Sequence, residues 1–271
     1  MRGTISPNIA LLLASVVVAG AAGAADYGAP GVFDKAWFEQ LNEAAGSPTD
    51  KLVKAYAAMK GPGGGKVVQE DGCGCAVDAS GRIADPISCA PVFRSGREEL
   101  ARAVAVEIVP PSSWASGLAC YSAGAPSCRG VKGAPVVGES CCEMADRSYA
   151  KIRNDANLYV LIAAPLAEQL GGYSFGVTRS GEKLSASCRI EIDRERRVWS
   201  LGARSEGFAA RAWLYATRHY GARSPEPIGA LLRMSADQPP GPGEVARAKA
   251  IGLVQNGRGQ DVTIEAAEGR K

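Results

Sequence analysis

The chain has 271 residues, with 31 basic and 28 acidic side chains and a formal charge of +3. That length suits one large domain or two small ones, and the near-balanced charge means that composition alone does not point to nucleic acid. Eight cysteines indicate an oxidising compartment and disulfides rather than zinc, because "CGC" leaves one residue between thiols and His219 is the only histidine.

Residues 1–24 read as an export signal: Arg2 gives the charged start, residues 10–20 the apolar stretch, and Ala22-Gly23-Ala24 the cleavage site. The stretch is short for a membrane span and no basic stop-transfer flank follows, so no span is expected after cleavage. The destination is then periplasmic or secreted. Residues 25–65 form an N-terminal helical segment and a linker. An amphipathic helix is predicted over 34–45, a second over 50–60 with Thr49 as its N-cap, and "GPGGG" (61–65) ends it. "GPGGGK" fails as a phosphate loop, since position 60 is Lys and Val67 stands where Ser or Thr would meet magnesium.

Residues 66–101 read as a short strand and a cross-linked loop, followed by a strand over 103–109. That strand carries one carboxylate, Glu107, ahead of Pro110-Pro111. A charge there is costly unless it is used or paired. Residues 112–140 are loop-rich, and 157–170, apolar almost all round, read as a buried helix. Alternation on both sides of Arg194-Glu195 predicts a hairpin within 188–201. Helices follow over 206–221 with Gly221 as C-cap, over 226–234 and over 244–257, before a polar tail. The mixture is α+β, with helices outnumbering strands. Residues 189–223 hold eight Arg against four acids, a local excess that suits a phosphate backbone and equally a solvated helix and hairpin face.

In order along residues 66–262, these segments resemble the endonuclease I family of periplasmic and secreted nucleases. "CGC" (73–75), "SC" (88–89), "RA" with "EIVPP" (102–111), "CYSAGAPSC" (120–128), "NDANL" (154–158), "EGFAARAWLYATRHYG" (206–221) and "RAKAIGLVQNGRGQDV" (247–262) carry the likeness. Residues 263–271 are a polar tail outside it. The resemblance implies a single mixed domain with a ββα-metal, or His-Me finger, core. It also implies a phosphodiester hydrolase in which a His is the base, a Glu and an Asn hold a divalent ion, and an Arg holds the charge.

Carried over position by position, Glu107 matches the metal-binding Glu, and Ile108 occupies the place of the base. Leu170 takes the Asn position, the loop between Cys120 and Cys128 has no Arg, and Ala156 replaces a further His. Loss of a general base alone costs about 10²–10⁴ in rate. The losses together imply a catalytically impaired or inactive member. Mg²⁺ or Ca²⁺ would have only Glu107 to bind, and the expectation is that none is held. Retained partners would be a DNA or RNA backbone, through Arg194, Arg196, Arg197 and Arg211, or a protein. The alternatives are an active nuclease with substitute residues and a structural module of an envelope or extracellular assembly. The resemblance also implies disulfides Cys120–Cys128 and Cys75–Cys89, with Cys73, Cys141, Cys142 and Cys188 supplying two more.

Overall fold

The computed structural model describes residues 46–59, 68–78, 80–83, 101–130, 133–178, 181–186, 188–202, 205–255 and 260. The expected export signal, the expected helix over 34–45, the "GPGGG" segment, Cys89 and residues 263–271 lie outside these residues.

Ser47-Pro48-Thr49-Asp50 starts helix α1, Pro48–Ala58. Ser47, not Thr49, is the N-cap: it forms a capping box with Asp50, and Pro48 sits where its missing N–H costs nothing. The Thr49 hydroxyl instead accepts from the Ala105 amide at 2.9 Å. Strands β1 (Val68–Gln69) and β2 (Ala76–Val77) pair antiparallel around the "DGCGC" turn. The buried Glu70 carboxylate accepts there from the amides of Gly72, Cys73 and Cys75, and burial pushes its pKa up despite those donors.

The β-branched run forms β3, Ala103–Glu107. The proline pair ends it and opens α2, Pro111–Trp114, followed by α3, Ala119–Ser122, α4, Glu139–Ala145, and α5, Arg147–Arg153. After one 3-10 turn at Ala156–Leu158 comes β4, Tyr159–Ala163, then α6, Ala164–Gln169. The expected 157–170 helix is thus strand and helix in succession. Every residue of β4 is buried, and a fully buried strand shows no alternation that would separate it from a buried helix.

Strands β3 and β4 are antiparallel, from Ala103 opposite Ala163 to Glu107 opposite Tyr159. Side chains close both edges of this two-stranded sheet, which removes unpaired backbone groups. Thr49 caps β3. Asp71 takes the Leu161 amide at 2.8 Å and Arg247 donates to the Tyr159 carbonyl.

A third, four-stranded sheet follows: β5 (Ser174–Phe175), β6 (Glu182–Lys183), β7 (Glu191–Asp193) and β8 (Val198–Ser200), in the order β5-β8-β7-β6. The β7–β8 hairpin is the one expected from alternation. Helix α7, Glu206–Tyr220, ends at Gly221 in the left-handed conformation, as its sequence predicts. Helices α8, Ile228–Asp237, and α9, Pro242–Val254, complete the described elements. Gly207 lets α7 meet the end of α8, since a Cβ there would lie 2.2 Å from the Gln238 carbonyl oxygen. The core gathers Val160, Leu161, Ile162, Ile108, Trp199 and the α7 face around Ala212. The fold is mixed α+β, and no described helix is long and apolar enough to cross a membrane.

The cysteines correct one expectation. Cys120 bonds Cys142, and Cys128 bonds Cys141, so Cys120 and Cys128 do not bond each other. Consecutive residues on a helix point about 100° apart, so the α4 pair reaches two different segments at once. Cys73 bonds Cys188, tying the "CGC" turn to the approach to β7. Cys75 is also disulfide-bonded, and its expected partner, Cys89, lies outside the described residues.

Candidate functional site

Glu107 ends β3 at an open cleft of about 390 Å³. Its wall comes from β3 (Ala105, Val106), the end of α5 (Arg153), β4 (Tyr159), the α6 end (Leu170) and the segment Tyr173 to Phe175, with Trp199 behind. The fold therefore brings Glu107 and Leu170 together, 63 residues apart in sequence, because β4 runs straight into α6.

The Glu107 carboxylate accepts from the Arg153 guanidinium, which also donates to the Tyr159 hydroxyl. That hydroxyl in turn donates to the Arg153 carbonyl at 2.7 Å, which fixes the arginine at the helix end. Side-chain exposures of 30% for Arg153 and 26% for Glu107 place the pair in the cleft wall rather than in free solvent. Glu139 and Glu143 of α4 each approach other nitrogens of the same guanidinium at 3.9 Å. Three carboxylates thus face one cation. Burial, and then Glu139, push the Glu143 pKa up.

This donor set does not fit a divalent ion. Glu107 is already bound to a guanidinium, and Leu170 offers no oxygen. Ile108, which the resemblance sets at the place of a base, is 0% exposed, belongs to the core and does not line the cleft. The one close cluster of three candidate ligand side chains among the described residues is Glu70, Cys73 and Cys75, and both cysteines are in disulfides.

The other residues singled out from sequence fall in different places. Arg211 is 2% exposed and forms two 2.6 Å hydrogen bonds to Glu244, with further bonds to the Ser235 and Gln238 carbonyls. It locks α7 to α8 and α9 and presents no cation to a backbone phosphate. Arg194, Arg196 and Arg197 are exposed together on the β7–β8 turn. Arg194 pairs with Glu182 at 3.2 Å, Arg196 donates to the Val177 carbonyl, and Arg197 lies over the Tyr173 ring, 5.9 Å from its centre. Arg129 reaches only the Gly133 carbonyl of its own loop. Asp155 is buried and accepts from Asn157, Tyr215 and Gln255, which makes it a structural hub rather than a ligand. His219 is exposed on α7, stacked 4.5 Å from Tyr215 and outside the cleft wall.

Sequence reasoning missed Arg153 and Tyr173. The single signal for Arg153 was the unexplained Glu107, whose partner lies 46 residues away. No family model and no curated protein matches the chain.

Proposed function

We propose that the protein is an exported, non-catalytic relative of the endonuclease I family whose cleft binds nucleic acid without cutting it. The observation that carries this reading is the pairing of Glu107 with Arg153 beside Leu170. In this reading a guanidinium stands where the family's metal ion would be held. The order β3, β4, α6 follows the strand–strand–helix order of a ββα core and supports the resemblance. With Ile108 sealed in the core and His219 outside the cleft wall, no histidine stands beside Glu107 among the described residues. The disulfides suit an exported chain. The exposed arginines of the β7–β8 turn, next to the aromatic part of the cleft, supply the binding half of the reading.

The test is incubation of the disulfide-intact protein with supercoiled plasmid and with RNA, in magnesium or calcium and in chelator. No nicking under any condition is expected. Chelator-sensitive nicking that disappears in Glu107→Gln would overturn the reading and make the chain a nuclease with substitute groups.

A further inference from the structure

We propose that Arg197 and Tyr173 form a subsite for single-stranded nucleic acid on the rim of the cleft, the guanidinium taking a backbone phosphate and the ring taking an unpaired base. This deepens the binding half of the proposed function and rests on it.

Four observations converge on the pair. Arg197 has φ 52 and is the one described non-glycine residue with positive φ. That conformation is strained for any residue with a Cβ, and such strain collects where a side chain must be aimed. The Ser174 amide donates to the Arg197 carbonyl at 2.9 Å, which joins the turn to the strand that follows Tyr173. Gly172 has φ 83, and a Cβ built on it would lie 2.7 Å from an Arg197 Nη atom. The glycine is therefore the gap through which the guanidinium reaches the tyrosine face. Lastly, the Arg197 guanidinium is exposed and meets no hydrogen-bond acceptor or carboxylate among the described residues; Tyr173 is its only side-chain partner. Arg153, Arg194, Arg196, Arg211 and Arg247 all have acceptors.

The charge distribution sets the direction. At the Glu107 part of the wall three carboxylates face one guanidinium, which repels a phosphate. The open cation lies over Tyr173, which shares the cleft wall with the buried Phe175 and Trp199. An open guanidinium next to an aromatic face matches the alternation of phosphate and base in a single strand. A duplex hides its base faces and could use only the cation. An acidic peptide would use Arg197 and leave the ring idle.

The test is fluorescence anisotropy with a labelled single-stranded DNA of about 12 nucleotides, at low and moderate salt, with folding checked by circular dichroism. Arg197→Gln is expected to weaken binding about tenfold and to flatten the salt slope by about 0.7. Gly172→Ala, which keeps every charge but displaces the guanidinium, is expected to weaken it similarly. Lys249→Gln removes one exposed charge from α9 and should cost less than about twofold. An abasic strand of equal length should bind the native chain about tenfold more weakly, the ring contact being lost.

If the native chain fails to bind at low salt, the proposed function falls together with the subsite. If it binds but Arg197→Gln matches either the native chain or Lys249→Gln, only the subsite falls. Equal binding of the abasic strand likewise removes the base-stacking half and overturns the assignment. Should Gly172→Ala not fold, Arg197→Gln against Lys249→Gln decides.

Discussion

Arg153, Arg197 and Arg211 carry the same charge into three different surroundings. Arg153 is half-buried against three carboxylates, Arg197 is open over a ring, and Arg211 is sealed against Glu244. Only the second can offer its N–H groups to a ligand. Arg211→Met would strand Glu244, whose side chain is 13% exposed. The expected loss is about 3–5 kcal/mol of stability in urea unfolding, the usual result of removing one partner of a buried pair. Oligonucleotide affinity of the folded fraction should be unchanged. Ile108→His tests the proposed absence of a base in a similar way. Because the site is 0% exposed, the imidazole would be buried without a partner. A loss of about 3 kcal/mol is expected, with no nicking activity gained. The charge at Glu107 was legible in the sequence as something that needed a partner. Which of the chain's arginines supplied it was not, because pairing across 46 residues is set by where the end of α5 meets Tyr159 of β4 and leaves no local pattern.

At the level of elements, legibility followed periodicity. The β7–β8 hairpin and α7 with its Gly221 cap have clear two-fold and 3.6-fold patterns and stand where expected. Segment 157–170 has neither pattern, because β4 is covered on both faces. The α1 start was misplaced by two residues, since Ser47 and Thr49 are both capable caps and the demand of the Ala105 amide for Thr49 comes from another element. The disulfides show the same limit: Cys120 and Cys128 are close in sequence, yet α4 lies between them with a thiol for each. Helix α4 has seven residues and holds its place through those two links. Replacing Cys128 and Cys141 by Ser together opens a loop with a sequence separation of 13. About 3 kcal/mol of stability should be lost, measured by denaturant unfolding under non-reducing conditions. A change below about 0.5 kcal/mol would show that packing alone positions α4.

Across the whole molecule, strands, helix ends and one turn converge on one cleft. The two-stranded sheet and α6 bring Glu107 and Leu170 to the same wall, while Ile108 lies in the core and the Arg153 guanidinium pairs with the Glu107 carboxylate. Binding then rests on the rim, at Arg197 and Tyr173, away from the three acids. The central claim is that this cleft holds nucleic acid and leaves it intact. It is tested most directly by mixing the native protein with an end-labelled single-stranded oligonucleotide and magnesium at low salt, then reading anisotropy and strand length in the same sample. The account predicts a salt-sensitive rise in anisotropy and a full-length strand after prolonged incubation. A shortened strand that chelator or Glu107→Gln protects, or an anisotropy that never rises, would contradict it.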